Sequence, residues 1–230
     1  MSDTATLPPP VRIGREINLL DRLPQTKRNL KARAEEKTAE DRAIAKRFDF
    51  DFFDGERRHG YGGYRYDGRW LPVAERLVEF YNLPADARIL DVGAAKGFLM
   101  HDFKQVLPHC TVRGIDVSTY AKLNAHGGMG EFIDIGSGEQ LPYADDSFDF
   151  VVSINSIHNL APAACGRALA EIERVSRGAS YITVDAWHTE EEHQRLLSWI
   201  LTAESYFHVD DWKKLFEQVG YTGDFFWFIP

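Results

Sequence analysis

The sequence predicts an α/β protein in which strands alternate with helices around one sheet. Its clearest unit is Arg88–Met100, where Ile89–Val92 form an apolar strand, Gly93 and Gly97 bracket a tight turn, and a helix-compatible segment follows. Further apolar strand segments come later in the chain and alternate with helical patterns. A length of 230 residues suits one domain of ordinary size together with an extension.

The glycine turn restricts the kind of ligand that the chain can bind. Backbone N–H groups at such a turn, and the helix N-terminus behind it, favour anionic groups. A dinucleotide-binding turn that began at Gly93 would need glycine where this chain has Ala95 and Phe98. The turn is therefore a poor fit for a pyrophosphate.

The turn and three later segments together resemble the class I S-adenosylmethionine-dependent methyltransferases. The spacing Asp91-x-Gly93-x-x-x-Gly97 is similar to the first motif of that family, which cradles the methionine end of the cofactor. Asp116 ends a second strand roughly 20 residues beyond the turn, where a carboxylate commonly grips a ribose diol. Asp116 is equally compatible with a cap of the next helix. Gly138–Ser153 and Ala168–Asp185 are similar to the family's fourth strand and to the helix and fifth strand after it.

The resemblance implies a Rossmann-like sheet with helices on both faces and S-adenosyl-L-methionine as the methyl donor, with S-adenosyl-L-homocysteine as a product. Many relatives have an aspartate where Ser137 aligns, and a hydroxyl there can still accept from the adenine amino group. The residues that the resemblance assigns to the cofactor are Asp91, Gly93, Ala94, Ala95, Gly97, Asp116, Val117, Ser118, Ser137, Gly138, Glu139, Asn155 and, from the extension, Arg69.

The candidate general base is His158, which follows the fourth strand. It aligns with a histidine that several sugar and natural-product methyltransferases resembling this chain use as a base. Asp185 ends the predicted fifth strand at the same edge of the sheet and would hold the imidazole in one tautomer, completing a catalytic pair. The alternative is a histidine that only shapes the cofactor pocket. His188 is a reserve candidate at the substrate site, and no spacing of carboxylates and histidines indicates a metal.

An aromatic segment from Phe48 to Trp70 precedes the predicted domain and carries eight Phe, Tyr and Trp residues between glycines and charges. Its glycines raise the entropic cost of ordering, so the segment suits a lid better than a hydrophobic core. We expect Tyr61, Tyr64 and Tyr66 to line the substrate pocket, with Arg69 near the methionine carboxylate or an anionic substrate. The alternative is that these aromatic residues only pack the extension onto the domain.

The chain divides into a flexible N-terminal arm (residues 1–25), a helical extension with the aromatic lid (26–70) and the methyltransferase domain (71–230). The helix expected between Thr26 and Arg47 has few apolar residues and should lie on the surface or against a second copy of the protein. Only one terminal strand, Asp224–Ile229, follows the last helix, whereas the family generally ends in a hairpin. The sheet should lack the usual final strand or fill its place with another segment; dimerisation or the N-terminal arm would cover that edge.

Charge and composition bear on partners and location. The first fifty residues carry eleven Lys and Arg and eight Asp and Glu, which is a net charge of +3. Because the whole chain has a net charge of −8, the residues after position 50 have a net charge of −11. Nucleic acid is therefore an unexpected partner, although Lys27–Arg33 forms a small basic cluster. There is no apolar run of about 18 residues and no leader pattern, which predicts no association with a membrane. Two distant cysteines suit a reducing compartment, so we expect a cytoplasmic protein.

The sequence thus predicts an S-adenosylmethionine-dependent methyltransferase that acts on the oxygen or nitrogen of a small polar acceptor. A sugar, a nucleotide-linked sugar or a specialised metabolite would be such an acceptor. Two alternatives stay open. One is an RNA or protein methyltransferase that docks through the basic N-terminal helix, and the other is a non-catalytic protein that binds S-adenosylmethionine for a partner.

Overall fold

A computed structural model of the chain describes residues 12–24 and 37–230. Its centre is one sheet of seven strands, and every strand pairing in it is parallel. The strands run in the order β3-β2-β1-β4-β5, after which β7 pairs along β5 and β6 pairs with the last two residues of β5. Their bounds are β1 Arg88–Val92, β2 Thr111–Asp116, β3 Ile133–Ile135, β4 Phe150–Ile154, β5 Ser180–Trp187, β6 Phe207–His208 and β7 Asp224–Phe228.

The helices alternate with these strands, as the sequence predicts for an α/β fold. They are α1 Ala39–Ala45, α2 Phe50–Phe53, α3 Leu71–Tyr81, α4 Phe98–Val106, α5 Thr119–Leu123, α6 Pro162–Val175, α7 Glu190–Trp199 and α8 Val209–Val219. Helix α6 begins six residues before the expected Ala168, because Pro162 occupies its first turn, where a missing N–H costs nothing. Helix α8 ends at Gly220, which adopts a left-handed conformation that glycine accommodates readily.

Helices cover both faces of the sheet. Leu90 and Val92 of β1 belong to a core cluster with α6 and α8, whereas Ile89 belongs to a second cluster with α3 and α4. Alternate residues of a strand point to opposite faces, so a strand buried on both sides reads as a continuous apolar run. The Rossmann-like sheet that the sequence predicts is therefore confirmed.

The edge of β7 is covered by the N-terminal arm. Phe225 of β7 accepts a hydrogen bond from the N–H of Ile17 (2.8 Å) and donates one to the carbonyl of Arg15 (2.9 Å). Leu19, two residues further on, is completely buried. The N-terminal arm thus fills the place beside the last strand. This is one of the two arrangements expected from the sequence, the other being a sheet that lacks the final strand. Residues 12–24 are held against the sheet rather than forming the free arm that was expected.

The rest of the extension is only partly described. Of the helix expected between residues 26 and 47, Ala39–Ala45 is helical as α1, whose N-cap Thr38 and Asp41 form a reciprocal capping box. Residues 1–11 and the basic cluster at 27–33 lie outside the described part of the chain. No helix within residues 12–24 and 37–230 is long and apolar enough to cross a membrane.

Candidate active site

A cavity of about 380 Å³ opens above the sheet, at the carboxyl ends of β1, β2, β4 and β5. This is the edge where open α/β sheets place their ligands. The glycine turn and the loops after β2, β3 and β4 form one side of the cavity. Residues of the aromatic lid and a C-terminal wall, Trp199–Ala203 with Phe228, form the other side.

The glycine turn is a tight backbone loop at the base of the cavity. Gly93, Ala95 and Gly97 all have positive φ angles, of 86°, 48° and 70°. A Cβ atom at Gly93 would lie 1.8 Å from Oγ of Ser156, so the turn after β1 leaves no room for a side chain there. Gly97 is the N-cap residue of α4, and the helix N-terminus therefore begins directly behind the turn.

Two carboxyl groups stand beside this turn. Asp91 lies on β1 and lines the cavity, and burial together with the neighbouring Asp116 raises its pKa to about 7. Asp116 accepts hydrogen bonds from the backbone N–H groups of Ala95 and Ser118, both at 2.8 Å. Burial raises the pKa of Asp116, and these two hydrogen bonds work against that rise. The cap of helix α5 is Ser118 rather than Asp116, since its side chain accepts from the N–H of Ala121.

The aromatic lid is attached to the glycine turn by a buried polar cluster. Lys96, inside the turn, donates to the carboxylate of Asp54 (2.5 Å) and to the carbonyl of Tyr64 (3.0 Å). Asp54 also accepts from the hydroxyl of Tyr120 (2.6 Å) and from the N–H of Tyr64 (3.0 Å). Tyr64 stacks on Phe98 at 4.5 Å, so the lid packs directly on the first residue of α4.

Two of the three predicted lid tyrosines line the cavity, Tyr61 and Tyr64. Tyr66 lies outside it, because its hydroxyl donates to the buried Asp102 (2.6 Å) and its ring stacks on His126 (4.0 Å). Arg69 also lies outside the lining, since its guanidinium pairs with the nearby Asp67. The structure thus places Tyr66 and Arg69 away from the positions expected for a substrate contact and a carboxylate contact.

His158 lies on the short turn Ile157–Asn159 after β4, and it lines the cavity with Asp185. Its Nδ1 accepts a hydrogen bond from the backbone N–H of Asp185 at 3.0 Å, and the same nitrogen is 3.5 Å from Oδ1 of Asp185. Burial lowers the pKa of His158, although the carboxylate of Asp185 opposes this. The structure therefore brings the two predicted residues together, but the shorter contact is to the backbone and not to the carboxylate.

The other predicted site residues divide into two groups. Those that line the cavity, besides the ones already described, are Ala94, Val117, Ser137, Gly138 and Asn155. Those outside the lining are Gly97, Ser118, Glu139 and His188. Glu139 forms an ion pair with Arg167 instead, and His188 is a half-exposed residue beside Glu192.

Several residues of the site were not predicted. Lys96 is a charged residue inside the glycine turn, and this unusual position is visible in the sequence. Asp54 and Arg57 of the lid carry no comparable pattern. The wall at Trp199–Ala203 is about a hundred residues from the turn in sequence, and only the path of the chain after β5 brings it to the cavity.

The donor set suits the nucleoside and amino-acid ends of S-adenosylmethionine. A carboxylate at the end of β2 matches a ribose diol, and the backbone of the glycine turn matches a polar amino-acid end. Apolar side chains such as Leu99 and Ile115 offer contact to an adenine ring. Among the described residues no group of three or more His, Cys, Asp or Glu could hold a metal ion.

Part of the chain matches a known protein family. Residues 90–184 match the family model described as a methyltransferase domain. These residues run from β1, just before the glycine turn, into β5, and they end one residue before Asp185. They therefore form a methyltransferase domain, and the sheet has the Rossmann-like fold of class I S-adenosylmethionine-dependent methyltransferases.

Individual relatives are distant. A tRNA (carboxymethyluridine(34)-5-O)-methyltransferase of Arabidopsis thaliana is 26% identical over 146 residues, which are 63% of this chain and 34% of that protein. The match thus spans about a third of the relative's length.

Two solved structures share the fold. The YcgJ protein from Bacillus subtilis matches with a TM-score of 0.51 and 20% identity, over 64% of this chain and 66% of the other. A chain in the complex between the Haloferax volcanii Trm112 methyltransferase activator and a methyltransferase gives a TM-score of 0.51 at 16% identity, over 85% and 77% of the two chains. At these identities the likeness concerns the fold alone.

Proposed function

We propose that the protein transfers the methyl group of S-adenosylmethionine to an oxygen or nitrogen atom of a small molecule. The observation that carries this proposal is the cavity, which joins the glycine turn and Asp116 to an aromatic lid. Bound there, S-adenosylmethionine supplies an electrophilic methyl group on a sulfonium. The protein would accelerate the transfer mainly by holding the two molecules in line and excluding water.

Each predicted role has a residue at the cavity. Asp116 would accept from the ribose hydroxyls, and Ser137 would face the adenine edge. Asn155 would contact the cofactor near the reacting end, held by its N–H bond to Oγ1 of Thr183 (2.9 Å). His158 and Asp185 are at the same cavity, and we infer that they contact the acceptor.

The size of the acceptor is inferred from the way the cavity is closed. The extension reaches across to the C-terminal wall, because Arg42 of α1 donates to the carbonyl of Ile200 and Lys46 pairs with Glu204 (2.7 Å). A cavity of about 380 Å³ between two such walls is in the range of small-molecule sites, at roughly 300–1,000 Å³. A small polar acceptor, such as a sugar or a specialised metabolite, fits this enclosure better than a folded macromolecule.

Methylation of RNA is the second candidate, and the tRNA methyltransferase relative supports it. Against it stands the acidic charge of the chain after residue 50. Nucleic-acid binding releases counterions, so this candidate predicts a steep loss of substrate affinity as salt rises.

The test measures release of S-adenosylhomocysteine from the full chain. The protein would be supplied with S-adenosylmethionine and with separate cell fractions of small metabolites, RNA or protein. Turnover with the small-metabolite fraction, insensitive to added salt, is the expected result. Turnover only with RNA would favour the second candidate, and tight binding of S-adenosylmethionine by calorimetry without turnover in any fraction would indicate a non-catalytic binding protein.

A further inference from the structure

His158 lines the cavity with an imidazole whose proton position is fixed by the backbone. The N–H of Asp185 can only donate, and it points at Nδ1 of His158 at 3.0 Å. A ring nitrogen that accepts a hydrogen bond carries no proton. The neutral ring therefore bears its proton on Nε2.

The opposite tautomer would lose this hydrogen bond. A proton on Nδ1 would face the N–H of Asp185, so two donors would meet and the hydrogen bond between them would be lost, at a cost of about 1–3 kcal/mol. The carboxylate of Asp185 offers little in return, because its Oδ1 is 3.5 Å from Nδ1, beyond the usual range of a hydrogen bond. The backbone contact thus decides the tautomer.

The Nε2–H group is available to a bound molecule. His158 lines the cavity, and its Nε2 makes no hydrogen bond with any of the described residues around it. In this tautomer the only lone pair of the ring is on Nδ1, where the backbone occupies it. His158 can therefore donate a hydrogen bond into the cavity, whereas a general base there would need a free lone pair on Nε2.

We propose that His158 is a hydrogen-bond donor that positions the acceptor, and that the methylated atom is a neutral nitrogen whose lone pair is free without a base. This inference rests on the proposed methyl transfer. An alcohol must lose its proton as it attacks, whereas an arylamine or aromatic ring nitrogen is unprotonated near neutral pH. The Nε2–H group would bind a separate oxygen or ring nitrogen of the same molecule.

The transfer balances without a protein base. The nitrogen lone pair forms the new N–C bond, and the methyl–sulfur bond breaks with its electron pair left on sulfur. The positive charge passes from sulfur to nitrogen, and a proton on that nitrogen, where there is one, leaves to water afterwards. An ionised oxygen acid would also need no base. The carboxyl groups of Asp116 and Asp185 disfavour such an anion, whereas Arg57, which also lines the cavity, favours it, so phenol is included among the test compounds.

The tautomer can be measured on the intact protein without any acceptor. Long-range ¹H–¹⁵N correlation spectra of the ¹⁵N-labelled chain distinguish Nε2–H from Nδ1–H, and His158→Gln assigns the signals. We expect a neutral ring with its proton on Nε2 at neutral pH, and the separate signals of the exposed His188 serve as the control. A proton on Nδ1 at neutral pH would overturn the proposal.

Turnover supplies the second readout. With a panel of aniline, imidazole, phenol and benzyl alcohol, S-adenosylhomocysteine should be released with the nitrogen compounds. His158→Gln retains an N–H donor and should keep activity within about tenfold, whereas His158→Ala should lose about 10²-fold, mainly in kcat/KM. Equal losses in the two variants, or turnover of the alcohol or phenol alone, would contradict the proposal. Failure of S-adenosylmethionine to bind by calorimetry would instead refute the proposed function and leave the spectroscopic result standing.

Discussion

The ammonium group of Lys96 lies 2.5 Å from a carboxylate oxygen of Asp54, which joins the glycine turn to the aromatic lid. Both side chains are largely buried, and Asp54 accepts two further hydrogen bonds, from Tyr64 and Tyr120. Burial works against ionisation of Asp54, but these partners outweigh it and hold its pKa below the usual range. The glycine turn and the aromatic lid are thus one connected unit.

Replacing Asp54 should loosen the lid. Asp54→Ala removes one of the two acceptors of the Tyr64 N–H, the other being the carbonyl of Phe53, and leaves the buried Lys96 without its carboxylate. We expect hydrogen exchange at the Tyr64 amide to accelerate at least about tenfold, which corresponds to about 1.4 kcal/mol of local opening free energy. Asp51→Ala, in the same short helix, is the matched control. Equal exchange in the two variants would mean that the ion pair does not hold the lid.

Asp116 should control affinity for the cofactor. Asp116→Ala removes the carboxylate that we assign to the ribose and also frees the N–H of Ala95 in the glycine turn. Calorimetry should show S-adenosylmethionine binding weakened more than about tenfold. The control is Asp134→Ala, which removes a carboxylate of the neighbouring strand that pairs with Arg113 outside the main cavity. Unchanged affinity in Asp116→Ala would remove the ribose assignment.

The contact between the arm and β7 should contribute measurable stability. Arg15 donates to both carboxylate oxygens of Asp224, at 3.1 and 2.7 Å, and Asp224 is nearly buried. We expect Arg15→Ala to lower the free energy of unfolding in urea by about 1.5–3 kcal/mol, since the carboxylate of Asp224 loses its guanidinium partner and keeps only the backbone N–H of residue 15 and the hydroxyl of Tyr81. Arg22→Ala breaks an exposed pair with Glu79 in the same arm and should cost at most about 1 kcal/mol. Similar losses of unfolding free energy in the two variants would mean that the arm stabilises the fold through apolar burial alone.

Asp91 should make stability depend on pH. Its pKa is raised to about 7, so the folded protein holds this proton more tightly than the unfolded chain does. The stabilisation that the protonated carboxyl group of Asp91 provides is therefore complete below the pKa that this group has in the unfolded chain, about 3.9. It is lost as the pH rises through 7. Asp91→Asn should raise the free energy of unfolding at pH 8 by up to about 4 kcal/mol, with little change at pH 4. Urea unfolding at pH 4 and at pH 8 measures this effect, with the surface substitution Asp86→Asn as the control. The same pH dependence of stability in both variants would contradict the prediction.

The sequence predicts those parts of the site that depend on local structure. A strand that ends at Asp116 and a turn between Gly93 and Gly97 are encoded by neighbouring residues, and the parallel order of strands brings them to one edge. The Rossmann-like fold is confirmed, and residues 90–184 match a methyltransferase domain. The predicted approach of Asp185 to His158 is found, although β5 continues two residues beyond Asp185.

What the sequence leaves undetermined depends on side-chain partners distant in the chain. Tyr66 and Tyr64 are equivalent in an aromatic segment, but only Tyr66 meets a buried carboxylate, that of Asp102, which draws it away from the cavity. Likewise a histidine beside an aspartate suggests a carboxylate partner. Nδ1 of His158 is 3.0 Å from the backbone nitrogen of Asp185 and 3.5 Å from its carboxylate. No sequence pattern specifies which of two groups so close together is the hydrogen-bond partner.

The pairing of the arm with β7 also has a consequence for the order of folding. Arg15 and Asp224 are 209 residues apart, so this contact closes a long loop. Loop-closure entropy grows only slowly with length, but the pairing edge does not exist until β7 has joined the sheet. During synthesis the arm must therefore wait, with Leu19 exposed, until β7 has emerged. Its docking is then a late folding step that seals an edge otherwise open to other chains.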